Sequence, residues 1–359
     1  MSSGGGTGRK DGGEGKENNF KIIRLLAAFL VLTGHAYILT GSPAPVLLFS
    51  ATQRLGIIIF FTVGGYLITE SWERDPHYIR YLIKRIFRIF PALIACIFLT
   101  VFVFGPVLST RTIRQYFSDR SVWDYLKNIF LYVTYTLPGV FNENPVSSVI
   151  NGSLWSLPVE FFMYLLIPLL CTAGKKAGRA VPVLLTVFMC ALSSYRHIVR
   201  PEWRLVIYGV DLGQALEVVP YYLIGNVAAS VKQKKLWNLQ VAWLFLFFCQ
   251  SLAISDAWGS VLSFAVVPYI VFSFAFVERP IGIRKKYRWT EISYGLYLYG
   301  FFVQQFIIER MLRRGISLQA NQVIALSLLV AGVMAWISAN LIEKPAQKAS
   351  KKLLLKIGR

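Results

Sequence analysis

The chain has 359 residues, 55% of them hydrophobic and only 16% charged, with a mean hydropathy of +0.53. A soluble domain of this size carries about a quarter charged residues, so the composition excludes an ordinary soluble enzyme and predicts a multi-pass membrane protein. The net charge of +20 fits the Lys and Arg excess of cytoplasmic loops; no basic stretch interleaves with exposed aromatics, so nucleic acid is not an expected partner.

Residues 1–19, MSSGGGTGRKDGGEGKENN, are polar and Gly-rich and are expected to form a disordered cytoplasmic tail. The apolar run that follows is long enough to span and lacks a small-residue cleavage site, so it reads as a retained helix and not a signal peptide. A spanning helix needs about 20 apolar residues. Runs of that kind lie near 20–40, 54–70, 87–108, 151–172, 180–194, 213–231, 238–254, 257–277, 292–311 and 320–342. They predict an all-α integral membrane fold of about ten transmembrane helices. The membrane domain covers 20–345, and a basic cytoplasmic tail covers 346–359.

The basic loops 70–88, 174–179, 232–235 and 278–288, and the C-terminal tail, are assigned to the cytoplasm, and both termini with them. The run 125–140 is apolar but short and ends in Leu137-Pro138-Gly139. Counting it as a span would move the basic loop 174–179 outside, so it is expected to be a re-entrant or interfacial half-helix in an outer segment 109–150. The basic loops 109–127, 195–204 and 310–314 then fall outside. The first two belong to longer loops, where the rule weakens; the third runs against it unless outer arginines meet an anionic acceptor or lipid headgroups. No internal repeat or matched pair of broken helices suggests an inverted-repeat transporter. Cys96, Cys171, Cys190 and Cys249 lack paired spacing, and His35, His77 and His197 are scattered, so neither a disulfide nor a metal site is expected.

The first helix carries Arg24 near its cytoplasmic end and His35 deep within it. Eleven positions at 100° each bring the two to within about 20° of one face, about 16 Å apart along the axis. An arginine at an interface commonly snorkels, and a buried histidine can be structural. His35, however, lies about 22 Å along a helix starting near Phe20, too deep to reach the inner surface. Intramembrane ionisable groups usually line a cavity or a substrate path. At the start of the third helix Arg85 and Arg88 are three apart and share a face. They serve either as a positive-inside anchor or as a polyanion clamp, because guanidinium forks bind phosphate bidentately. Glu160 lies about 13 Å from the outer end of a helix starting near Asn151. That depth is similar to His35, and it suits either helix pairing or a general base and its orienter. Glu343-Lys344-Pro345 reads as a helix stop, and Gln304 and Gln305 either line a cavity or pair helices.

Taken in order, these pieces resemble the acyltransferase-3 family of multi-pass membrane O-acyltransferases. The likeness rests on Arg24 and His35 with ten residues between them, on Arg85 and Arg88, and on GSLWSLPVEFFMY with Glu160 as its acid. It also includes ISYGLYLYG (292–300) and the final Glu343-Lys344-Pro345. Gly300 stands near the place where many members carry a histidine, so no second histidine is carried over. Some members append an esterase-like SGNH-type domain; this chain is expected to be a stand-alone membrane domain.

The resemblance implies an acyl-CoA donor, most often acetyl-CoA, and no bound cofactor. It implies a glycan or lipid-linked sugar acceptor at the outer face of the bacterial inner membrane. Membrane lipids, a second copy of the chain and polysaccharide-synthesis proteins are the other expected partners. His35 would act as general base or transient acyl carrier, with Glu160 fixing its tautomer, and Arg24, Arg85 and Arg88 would hold the donor. The rival reading is a transporter or flippase of a lipid-linked sugar using His35 and Glu160 as a proton relay. A non-catalytic scaffold, which would tolerate neutral changes at these residues, is the third.

Overall fold

A computed structural model describes residues 19–231, 236–252, 256–277 and 290–357. The tail before Asn19 and the basic loops 232–235 and 278–288 lie outside the described residues. Helices stand where the apolar runs predict them. They are α1 (Phe20–Leu39), α2 (Thr52–Arg74), α3 (Tyr78–Phe98), α4 (Ser156–Ala177), α5 (Ala180–Val199), α6 (Leu212–Val231), α7 (Leu239–Leu252), α8 (Asp256–Ala275), α9 (Ser293–Leu312) and α10 (Ala320–Ser338). A helix α11 (Lys344–Ile357) follows. Among the described residues strands occur only as two short antiparallel hairpins. The chain is an all-α membrane protein.

Seven helical stretches among the described residues are long and apolar enough to cross a membrane. Tyr78–Leu108 is one of them, because α3 runs on through a π-helical turn at Leu99–Phe104. Of the first ten helices, α6, α7 and α9 are not among the seven; α7 has only 14 residues, and α9 is enclosed by protein. Nearly all of α9 is buried by other helices, including Tyr294, Tyr297, Gln304 and Gln305. A helix surrounded by protein can carry polar side chains that a lipid-facing one cannot.

Close packing of α2 against α6 fixes the centre of the bundle. A Cβ on Gly65 would stand 1.9 Å from the Tyr222 carbonyl oxygen, and one on Gly225 2.2 Å from that of Thr62. Small residues let the two backbones meet. Asn226 then donates to Thr69 Oγ1 at 2.7 Å. Where α1 and α9 begin, here called the basic end, Arg80 and Lys84 grip Asp75 at 2.6 and 2.8 Å. Their hydrogen bonds hold the Asp75 carboxyl down at about 2. At the opposite, far end Glu217 ties α6 to Arg54 of α2 (3.4 Å) and Arg196 of α5 (2.7 Å).

The segment before α4 departs from expectation. The run 125–140 is not a half-helix: an α-helix Arg120–Tyr125 passes into a 3-10 turn at Leu126–Phe130, Leu131 ends it in a left-handed conformation (φ 65°), and the rest of the run is not helical. The part that enters the bundle comes later. Asn144 donates to Gln305 Oε1 at 2.8 Å, and Gln305 donates to the Val146 and Val149 carbonyls at 2.8 Å each. Asn151 then donates to the Leu298 carbonyl at 2.8 Å, and Tyr297 to that of Ser153 at 2.7 Å. The chain thus descends along α9 from its fourth turn to its second, with its polar backbone satisfied by side chains, as irregular structure inside a membrane requires. Gln304 similarly donates to the Leu32 carbonyl of α1 at 2.8 Å. Both glutamines pair α9 with its neighbours.

Candidate active site

A cavity of about 420 Å³ opens at the basic end. Arg24 of α1, Lys84, Arg85 and Arg88 of α3, Glu160 and Tyr164 of α4, Glu291, and Tyr294 and Tyr297 of α9 line it, over an apolar wall from α2 that includes Ile57, Phe60 and Leu67. The structure therefore brings together the three arginines singled out in the sequence. Their states differ. Arg24 pairs with Glu291 at 2.6 Å; Arg88 reaches Glu343 at 3.0 Å and Glu291 at 3.4 Å and lies over the Tyr294 ring at 5.4 Å. Arg85 touches no carboxylate among the described residues. It donates to Ser71 Oγ at 3.2 Å, stacks between Tyr81 and Tyr164 at 5.7 and 5.8 Å, and keeps a buried Nε without a partner.

Glu291 sits in front of α9 and takes charge from both sides. Burial alone would raise its carboxyl, but Arg24 and Arg88 outweigh burial and hold it below its ordinary value. Ser293 adds a hydrogen bond at 3.1 Å. Glu343 is not a helix stop. It lies in a π-helical turn that carries α10 into α11, its side chain is 4% exposed, and its partner is Arg88. The expected basic tail is itself the helix α11, and Gln347, Ser350, Lys351 and Leu354 of that helix line the cavity.

Glu160 does not stand beside His35. Its carboxylate accepts a hydrogen bond from the Tyr164 hydroxyl and faces the cavity with Arg24. The sequence reading measured its depth from Asn151, taken as the outer end. Asn151 is already level with Leu298, and Ser156, where α4 starts, bonds Tyr297. Glu160 is a further turn inward, toward the basic end. His35 lies on the same helix as Arg24, about 16 Å beyond it. It is 9% exposed and packs edge-on to Phe301 with ring centroids 5.1 Å apart. It is not on the cavity wall. Tyr297 lines the cavity, and Phe301, one turn further along α9, touches His35.

Sequence reasoning missed Glu291 and the tyrosines. Glu291 had a signal: it is an acid immediately after a basic loop and just ahead of a helix. Tyr294 and Tyr297 belong to the quoted ISYGLYLYG stretch but carry no charge to mark them.

The arrangement offers a polyanion a cationic mouth over an apolar wall. The family model described as an acyltransferase domain matches residues 17–358. The chain is 32% identical to an O-acetyl transferase of Shigella phage Sf6, over 92% of this chain and 96% of that protein. It is 28% identical to Nodulation protein 10 of Rhizobium leguminosarum bv. viciae, over 82% of this chain and 84% of that protein. No solved structure matches. With the family's motifs in order along a helical membrane bundle and its model matched over nearly the full length, the chain belongs to the acyltransferase-3 family of membrane O-acyltransferases.

Proposed function

We propose that the protein takes an acyl group, acetyl in the first instance, from a cytosolic acyl-CoA. It transfers that group to a hydroxyl of a glycan or glycolipid at the outer face of the bacterial inner membrane. The observation that carries this reading is the cavity at the basic end. Three arginines converge there, and one of them, Arg85, has no carboxylate partner among the described residues. The similarity to an O-acetyl transferase supports acetyl as the group.

The phosphates of the donor sit among Arg24, Arg85 and Arg88, where charge-assisted forks are strongest. The pantetheine arm follows the α2 wall past Tyr297 toward His35. His35 takes the proton of the acceptor hydroxyl as its oxygen attacks the thioester carbonyl. The carbon–sulfur bond breaks, and the imidazolium returns the proton to the departing thiolate. Attack by the imidazole itself, with a transient acyl-histidine, is the other route. Glu160, bonded to Tyr164 and facing Arg24, positions the donor rather than His35. No metal or redox group is required.

The direct test is NMR and mass analysis of surface glycans from a deletion strain complemented with wild type or His35→Ala. An O-acyl signal restored only by wild type supports the reading; a signal restored equally by inserted His35→Ala overturns it.

A further inference from the structure

The sequence marked Arg24, Arg85 and Arg88 but left the C-terminal helix as a basic tail. In the structure that helix forms one wall of the cavity. Gln347, Ser350, Lys351 and Leu354 reach it, and these positions have the i, i+3, i+4, i+7 spacing of a single helix face. Lys348, Lys352 and Lys356 are exposed and do not line it. The basic character of α11 is therefore divided between two faces, one toward the cavity and one toward solvent. The start of the helix is held in place. Glu343 pairs with Arg88, and Lys344 donates to Thr290 Oγ1 at 2.7 Å, next to Glu291.

The lining cations differ in their partners. Arg24 and Arg88 pair with Glu291 and Glu343, and Lys84 shares Asp75 with Arg80. That leaves Arg85 and Lys351 as the lining cations with no carboxylate partner among the described residues. They come from α3 and α11. Lys351 is exposed at the mouth, while Ile57 and Tyr297 mark the deep end of the same cavity. A half-buried Arg85 and an exposed Lys351, both without a carboxylate partner among the described residues, beside an apolar wall suit an elongated ligand whose phosphorylated end stays outermost.

We propose that α11 is part of the donor site and that Lys351 is a specificity-determining residue, binding the donor phosphate furthest from the thioester, the ribose 3′-phosphate of CoA. This rests on the acyl-CoA reading above. A lipid phosphate at the membrane surface offers the same chemistry, and the test separates the two sources.

The full chain in zwitterionic nanodiscs is titrated with CoA and with 3′-dephospho-CoA, for wild type, Lys351→Ala and the outward-facing control Lys352→Ala. Wild type and Lys352→Ala are expected to prefer CoA by roughly tenfold, the effect of about one charge-assisted contact. Lys351→Ala should bind the two ligands about equally, with affinity for dephospho-CoA unchanged. If wild type prefers CoA and Lys351→Ala keeps that preference, this inference fails while the donor reading stands. If wild type binds neither ligand, the donor reading fails with it. Repetition in anionic nanodiscs covers the lipid. If CoA binding by wild type and Lys351→Ala is equal, and only retention of anionic lipid differs between them, Lys351 serves a headgroup and the proposal is overturned.

Discussion

Arg88 reaches Glu343 at 3.0 Å and thereby ties the middle of α3 to the turn that joins α10 to α11. Arg24 extends the chain of charges through Glu291, so α1, α3, α9 and the C-terminal helix meet at one alternating cluster of two cations and two anions. Two of the three arginines expected to bind donor thus also hold the bundle together, and Arg85 is the one left without a carboxylate among the described residues.

That difference predicts a split between neighbouring residues. Arg88→Ala strands Glu343, whose side chain is 4% exposed; breaking a buried pair costs about 3–5 kcal/mol. Thermal unfolding in detergent should show a clear drop in Tm for Arg88→Ala and a smaller one for Glu343→Gln, which still accepts from Arg88. Arg85→Ala should leave Tm nearly unchanged and raise the KM for acyl donor at least tenfold. A Tm drop as large as that of Arg88→Ala would make Arg85 a structural anchor.

Glu160 and His35 should separate kinetically. Glu160 faces the arginine cavity and His35 lies beyond Phe301. Glu160→Gln and Tyr164→Phe are expected to raise the donor KM with a modest change in kcat. His35→Ala should remove kcat while donor binding persists. Equal loss of kcat from both sites, with KM unchanged, would restore the pairing of Glu160 with His35.

Acid should loosen the basic end in a defined window. Glu291 and Asp75 are both held below ordinary carboxylate values, Asp75 at about 2. The folded state then binds fewer protons than the unfolded one near pH 3–4, so stability rises with pH there. Their contribution is fully present above about pH 5, where unfolded carboxylates are ionised. It is lost as pH falls through about 4 toward the folded values. Tm measured against pH should fall across this range, and Glu291→Gln and Asp75→Asn should each flatten the fall from a lower plateau.

The α2–α6 contact admits no side chain at its closest point. Gly65→Val places carbon where Tyr222 presents its carbonyl, 1.9 Å from a Cβ. The helices must move apart, so the variant should show reduced yield of folded protein and loss of cavity function together. Gly315→Ala is a poor control because its φ is 72°; Gly332→Ala, with nothing within 4 Å, should be neutral.

Much of this was legible in the sequence because lipid imposes a simple code. Apolar runs gave the helices, and helical phase set the spacing of Arg24 and His35 along α1. The code weakened where protein replaces lipid. The descending segment from Asn144 to Ser153 has no hydropathy signature; its place is set by side-chain bonds from Gln305, Asn151 and Tyr297. Misplacing it moved Glu160 to the wrong half of the bundle. Glu343 looked like an interface stop because its partner, Arg88, is distant in sequence.

The proposed route carries acyl groups from a CoA donor on one side of the membrane to a hydroxyl on the other by way of His35. Proteoliposomes with acceptor glycan enclosed and labelled acetyl-CoA outside test it most directly, with chains oriented so that the basic end faces out. Wild type should place label in the glycan as an alkali-labile ester, and His35→Ala, equally inserted and still binding CoA, should place none. Label transfer by His35→Ala, or movement of glycan across the bilayer with no donor and no ester formed, would contradict it.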